Sequence, residues 1–196
     1  MAAIVKRVCA SRKFSHVITE AWGAELLAVA GWRCVLVNWH QFALASPELA
    51  AIGQKRLEGP GLALIGTLRA NGWPRISPVE TYIVDTQLLL GMMWRSKKAL
   101  DLLVDPRVVV HSVTCDREGT DGDFKVYGRV TDVVDPAVRQ RYADVLEAKI
   151  GWRSADPYHL FSVDIGEAAY VVFGRERFAM RWNPAEGFRR WALQTG

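Results

Sequence analysis

The fold is decided by residues 62–112, which read LALIGTLRANGWPRISPVETYIVDTQLLLGMMWRSKKALDLLVDPRVVVHS. Apolar residues alternate with polar ones, or run continuously, in three segments that predict strands over Leu62–Arg69, Arg75–Val84 and Leu88–Trp94. Both residues of Asn71-Gly72 tolerate positive φ angles and therefore predict a tight hairpin between the first two strands. A fourth apolar segment follows a basic turn, so the stretch as a whole predicts an antiparallel meander.

A proline interrupts the second of these strands. Pro78 has no N–H group to donate to a ladder, so this half of the strand is expected to be a sheet edge, a bulge or a barrel seam. An edge that faces a cavity leaves backbone N–H groups available to a ligand. The position of Pro78 therefore indicates where a ligand could approach the backbone.

The periodicity changes after Trp94 and predicts a short helix. Ser96 is a residue type favoured at helix N-caps, and apolar positions continue from there to Val104. The helix is expected to end before Asp105-Pro106, because proline restricts the preceding residue to extended geometry.

The start of this helix is strongly basic, because Arg95, Lys97 and Lys98 surround the hydroxyl of Ser96. A helix N-terminus offers free N–H groups and the positive end of a dipole, so cations there are unfavourable unless an anion neutralises them. A phosphate group is the natural candidate for that anion. The alternative is a solvated basic turn on the protein surface.

The composition is that of a globular protein. The chain has 196 residues, half of them apolar, and a formal net charge of +4, which suits an anionic cofactor or substrate without requiring nucleic acid. Its three cysteines, Cys9, Cys34 and Cys115, are widely spaced, so they predict neither a disulfide framework nor a metal site. We expect a cytoplasmic protein with no membrane-spanning segment.

The N-terminal residues 1–45 differ from the rest and are treated as a separate segment, disordered or produced by a start site set too early. The apolar stretch Ala21–Val37 contains Glu25 and Arg33, which argues against a signal peptide and against a spanning helix. The main domain is expected over residues 46–196. It begins with a helix over Ser46–Gly59, because Pro47 suits the first helical position.

The second half of the chain adds strands and one helix. Strands are predicted over Phe124–Val134, His159–Ile165, Ala168–Phe173 and, as the last strand, Phe178–Trp182. A helix is predicted over Asp135–Gly151, with Tyr142 on its inner face. The fold class is therefore mainly β, of the α+β type, with a small antiparallel barrel and a few flanking helices. Closing a barrel removes exposed sheet edges.

Several motifs resemble the pyridoxamine 5′-phosphate oxidase-like family, whose fold is the flavin-binding split β-barrel. They are GWPRISPV at residues 72–79, RSKKALDL at 95–102, DPRV at 105–108, KVYGR at 125–129 and WNPAEG at 182–187. The resemblance extends over residues 47–191, and the motifs occur in the family's order.

The resemblance implies a homodimer with two cofactors at its interface, and a pocket with three parts. One part binds the phosphate, one presents backbone to the isoalloxazine ring, and one flanks the ring. The residues implied are, in that order, Arg95, Ser96, Lys97 and Lys98; Ser77, Pro78 and Val79 with Arg75 nearby; and Trp94 and Lys125. The cofactor is FMN or, alternatively, the deazaflavin coenzyme F-420, because family members use either.

The function expected from the resemblance is oxidoreductase, with hydride moving between the flavin-type ring and a small-molecule substrate. The cofactor carries that chemistry, which agrees with the lack of an acid–base motif in the sequence. No residue is assigned a catalytic role.

Two alternatives from other classes stay open. A non-catalytic flavin- or haem-binding protein would, in the case of haem, need His111 or His159 exposed as an axial ligand. A nucleic-acid-binding barrel would use the strand face with Lys125, Tyr127 and Arg129, although this face is equally typical of a solvent-facing side. We therefore expect no nucleic-acid partner.

Overall fold

The computed structural model describes residues 35–114, 116–174 and 176–194. These residues belong to one compact unit, Val35–Gly196. The predictions for residues 1–34, including an early start site, lie outside the described residues. Among the helices described, none is long and apolar enough to span a bilayer.

The unit is an antiparallel barrel, which confirms the predicted fold class. Its strands are β1 (Leu62–Leu68), β2 (Pro74–Val84), β3 (Gln87–Met93), β4 (Arg107–Ser112), β5 (Asp123–Asp132), β6 (Tyr158–Phe173), β7 (Arg177–Asn183) and β8 (Gly187–Ala192). They are ordered β3-β2-β1-β4-β5-β6, and pairing of β3 with β6 closes six strands into a barrel. Strands β7 and β8 extend the sheet from β6.

Four helices accompany the barrel in the described part of the chain. They are α1 (Trp39–Ala45), α2 (Pro47–Glu58), α3 (Lys97–Val104) and α4 (Pro136–Ile150). Local sequence explains their ends. Asn38 forms a capping box with Gln41 at the start of α1, and the Asp135 side chain accepts a hydrogen bond from the backbone of Ala137 in α4. Gly151 then ends α4 in the left-handed conformation, at φ 66°.

The two N-terminal helices pack into the barrel core. Trp39 and Phe42 are buried, and their rings make an edge-to-face contact with centroids 5.3 Å apart. Phe42 also lies 5.0 Å from the ring of Trp182. The sequence placed the domain start at Ser46 and missed α1, whereas the compact unit begins at Val35.

Two predictions about the second half are wrong. The break predicted at Gly166-Glu167 is absent, because β6 runs continuously past it. Tyr127 pairs with Glu167 and Gly128 with Ile165, so Gly166 is the extra residue of a bulge. The predicted last strand is followed by β8, which returns along β7.

Candidate functional site

The first half of β2 is an open sheet edge. Residues 74–79 pair with β1, whereas the ladder between β2 and β3 begins only at Glu80, opposite Gly91. The edge predicted from Pro78 is therefore confirmed. In consequence, backbone polar groups on one side of this half-strand are available to a ligand.

A cavity of ≈ 750 Å³ lies beside the open edge, within the usual size range of small-molecule sites. Its walls come from β1, β2, β3, the start of α3, the middle of α4, the loop after α4 and the first residue of β6. The lining residues are Leu62, Pro78, Val79, Glu80, Gly91, Met92, Met93, Trp94, Lys98, Tyr142, Ala143, Leu146, Trp152, Ser154, Asp156, Pro157 and Tyr158.

Lys98 is the cation of this cavity wall. It lies in the first turn of α3, is half-buried, and its Nζ donates a hydrogen bond to the carbonyl oxygen of Pro78. Burial lowers the pKa of Lys98 from its ordinary value, and the negative charge of Glu80 opposes that shift. A bound anion would favour the charged ammonium further, so Lys98 suits an anion-binding role.

Ser96 occupies the N-cap position of α3, but its side chain makes no capping hydrogen bond. The expectation that the Ser96 hydroxyl caps the helix is therefore wrong. Its Oγ atom is buried and lacks a hydrogen-bond partner among the described residues. An unpartnered hydroxyl beside the free N–H groups of a helix N-terminus fits a site for a phosphate group.

Arg95, Lys97 and Trp94 surround this turn but differ in placement. Arg95 is exposed and turns the chain from β3 into α3 with a φ of 53°. Lys97 is exposed as well, and neither cation is part of the cavity wall in the described structure. Trp94 does line the cavity, and its ring stacks on His159 with centroids 4.5 Å apart.

Arg75 is engaged in an ion pair instead of facing the cavity. Its Nε lies 2.6 Å from Oδ2 of Asp101 in α3, and the same oxygen accepts a hydrogen bond from Thr67. Ser77 is half-buried and also lies outside the cavity wall, whereas Pro78 and Val79 contribute to it.

Lys125 lies elsewhere in the described structure. Its ammonium is 2.9 Å from the carboxylate of Asp123, and it is paired with His111 across β4 and β5. Of the ten predicted residues, the cavity of this chain therefore brings together Pro78, Val79, Trp94 and Lys98.

The sequence missed the wall formed by α4 and the loop after it. Tyr142 was predicted to lie on the inner face of α4, but nothing in its spacing distinguished a core residue from a cavity residue. Its hydroxyl is buried against Gly91 without the geometry of a hydrogen bond to any described residue. Burial raises the pKa of Tyr142, so its hydroxyl stays protonated.

Neither candidate haem ligand is exposed as that function would require. The Nδ1 atom of His111 lies 2.8 Å from the carbonyl oxygen of Ser112, and its Nε2 atom lies 3.1 Å from the Asp123 carboxylate. His159 is only 7% exposed and lies beneath the ring of Trp94. Ligation by either histidine would require rearrangement.

Comparison with known proteins identifies the family. The family model described as pyridoxamine 5′-phosphate oxidase matches residues 53–172, and the chain belongs to this family. No curated protein matches the chain.

Solved structures share the fold at low sequence identity. ChuZ from Campylobacter jejuni is 15% identical, with a TM-score of 0.57, over 74% of this chain and 62% of that one. A Clostridium acetobutylicum protein related to general stress protein 26 is 16% identical, with a TM-score of 0.53, over 75% and 97%. A heme binding protein from Mycobacterium smegmatis is 13% identical, with a TM-score of 0.51, over 72% and 57%. Such likenesses establish the barrel fold alone.

Proposed function

We propose that this protein is a flavin- or deazaflavin-dependent oxidoreductase that moves hydride to or from a small-molecule substrate. The observation that carries the proposal is the cavity at the open edge of β2, with Lys98 at the start of α3 beside it. An open sheet edge supplies backbone polar groups for the flavin-type ring, and a helix N-terminus supplies positive charge for the phosphate.

Different residues of this chain would bind different parts of the cofactor. Lys98, the Ser96 hydroxyl and the first N–H groups of α3 bind the phosphate. The backbone at Pro78 and Val79 contacts the edge of the ring system, and Trp94 covers one side of the cavity. When bound, the cofactor supplies the hydride chemistry, and the protein contributes orientation and exclusion of water.

FMN is the cofactor we favour, and coenzyme F-420 is the alternative. The cavity wall itself contains one lysine, which matches a single phosphate group. Arg95 and Lys97 lie exposed on the same turn, where they could pair with the longer anionic tail of the deazaflavin. Direct titration with both cofactors decides between them.

We also propose a homodimer, supported by an apolar surface that we call the outer sheet face. Its members are Leu62, Leu64, Ile76, Pro78, Val109 and Tyr127. Cross-strand pairing of Leu64 with Pro78, and of Gly66 with both Ile76 and Val109, puts them on one side of the sheet. Ile76 is 74% exposed.

The outer sheet face is continuous with the cavity, because Leu62 and Pro78 belong to both. An exposed apolar sheet face next to a ligand site is typical of a surface covered by a partner. A second copy of this chain would bury the face and shield the cavity from solvent.

The proposal is tested first by the absorbance spectrum of the purified protein, followed by titration with FMN, F-420 and haem. A bound flavin or deazaflavin, and its reduction or oxidation in the presence of a substrate panel, supports the proposal. A Soret band with no affinity for either flavin would instead favour the non-catalytic haem-binding alternative. Binding of a flavin without turnover would support a flavin carrier.

A further inference from the structure

Helix α3 is attached to strand β2 at two points. Near its start, Lys98 donates a hydrogen bond to the carbonyl oxygen of Pro78. One turn later, the Asp101 carboxylate accepts a hydrogen bond from Nε of Arg75 over 2.6 Å. Lys98 and Asp101 are three positions apart and therefore share one face of the helix.

The attachment through Asp101 also reaches a second strand. Its Oδ2 atom accepts a hydrogen bond of 2.9 Å from the hydroxyl of Thr67 on β1. The Asp101 side chain is 11% exposed and that of Arg75 is 24% exposed, so solvent screens this ion pair weakly. One carboxylate thus joins α3 to both β1 and β2.

The two attachments respond differently to an anion, if the proposed function is correct. Lys98 must turn from the Pro78 carbonyl toward the phosphate, which removes the first attachment. The bonds of Asp101 involve no cavity residue and are unaffected. We infer that Asp101 is a positioning residue, which keeps the first turn of α3 against the open edge of β2 while Lys98 binds the anion.

The positioning role and simple electrostatics predict opposite changes in anion affinity when the Asp101 carboxylate is removed. Removing a carboxylate close to an anion site should strengthen anion binding by reducing repulsion. A positioning role predicts weaker binding, because the Ser96 hydroxyl, the Lys98 ammonium and the helix N–H groups lose their common alignment. The sign of the change therefore separates the two effects.

The test compares Asp101→Asn with Asp105→Asn in the full chain. Both variants remove one negative charge from α3 or its cap, but Asp105 is the C-cap at the far end of α3, where it pairs with Arg107. Affinities for FMN and for riboflavin, which lacks the phosphate, are measured by flavin fluorescence. We expect Asp101→Asn to weaken FMN binding about tenfold and to leave riboflavin binding within about twofold.

Asp105→Asn should leave both affinities unchanged. Thr67→Val removes only the hydroxyl bond, so it should weaken FMN binding in the same direction by a smaller factor. This second variant keeps the test valid if Asp101→Asn fails to fold. Unchanged or tighter FMN binding in Asp101→Asn, or an equal loss for FMN and riboflavin, would overturn the positioning role.

Failure of the proposed function gives a different result. If the wild-type protein binds neither FMN nor F-420, the proposed function is wrong. Amide hydrogen exchange of the free protein then tests whether Asp101 holds α3 in place, because this measurement needs no ligand. Faster exchange of the α3 amides in Thr67→Val and Asp101→Asn than in the wild type supports positioning of the helix. Unchanged exchange in both overturns it.

Discussion

Replacing Lys98 by methionine gives the sharpest test of the anion site. Methionine keeps an unbranched apolar side chain in the half-buried position and removes only the ammonium group. In the free protein, that ammonium donates to the Pro78 carbonyl. Binding a phosphate therefore exchanges a hydrogen bond with a neutral acceptor for one between two charged groups.

The size of the effect follows from that exchange. Both hydrogen bonds have the charged ammonium as donor, and such bonds contribute about 1.5–3 kcal/mol, with a charged acceptor at the upper end of that range. The exchange therefore favours phosphate binding by about 1–1.5 kcal/mol, and losing it corresponds to a loss of roughly 5- to 13-fold in FMN affinity. Riboflavin lacks the phosphate, so its affinity should change less than about twofold.

Lys97→Met is the matched control. It removes the same charge from the adjacent residue, which is exposed and outside the cavity wall of the described structure. Screening by salt should limit its effect on FMN affinity to about twofold. Fluorescence titration of both flavins against both variants is the assay. An equal loss for FMN and riboflavin in Lys98→Met, or equal losses in the two variants, would refute the assignment.

The pH dependence of FMN binding adds an independent readout. Burial lowers the pKa of Lys98 below its ordinary value of 10.5 in the free protein, and a bound phosphate would raise it again. FMN affinity should therefore fall as pH rises through the lowered pKa, and Lys98→Met should lack this fall. The folded chain binds fewer protons at Lys98 than the unfolded chain does between the two pKa values. The contribution of Lys98 to the free energy of unfolding therefore increases with pH in that window.

Three further predictions concern assembly and packing. Ile76→Asp should convert the dimer to a monomer in size-exclusion chromatography with light scattering, whereas Val134→Asp, at a site 78% exposed outside the outer sheet face, should leave it dimeric. A monomeric wild type would contradict the proposed dimer. Gly53→Ala should lower the free energy of unfolding by about 1–3 kcal/mol, because the new Cβ would lie 2.7 Å from the Cε1 and Cε2 atoms of the buried Phe124 ring. Gly174→Ala, with open space around it, should change that free energy by less than about 0.5 kcal/mol, and equal denaturation midpoints in urea would refute the clash. Tyr142→Phe should leave the thermal midpoint unchanged or raise it, because it removes a buried hydroxyl that lacks a partner in the described structure; a lower midpoint would show that the hydroxyl is bonded.

Local sequence features predicted the meander well, because each depends on a few adjacent residues. Alternation placed β1, β2 and β3, and Gly72 adopts the positive φ of 83° that the predicted hairpin requires. Pro78 marked the open edge for a similarly local reason. The helix after Ser96 was also predicted. Ser96 occupies the N-cap position, but its side chain does not form the expected capping hydrogen bond.

Features that depend on long-range packing were missed. Whether β6 breaks or bulges at Gly166 depends on its pairing with β5, which the sequence of β6 alone does not contain. Trp39 and Phe42 belong to the core because α1 packs against β3 and β6, a contact that their helical spacing does not reveal. The same limit applies to the cavity wall from Tyr142 to Tyr158, which exists only once α4 has folded back over β2 and β3.

The position of Pro78 connects the fold to the site. A residue with an N–H group at this point could extend the β2 ladder, whereas proline lacks the donor that such pairing needs. Its carbonyl oxygen instead accepts a hydrogen bond from Lys98, which ties the start of α3 to the edge. A ligand that binds Lys98 and draws it away from β2 therefore leaves the Pro78 carbonyl oxygen free to accept another hydrogen bond, close to the bound ammonium. The open edge and the proposed anion site consequently share the Lys98–Pro78 hydrogen bond, which brings the motifs at residues 72–79 and 95–102 together in the folded chain.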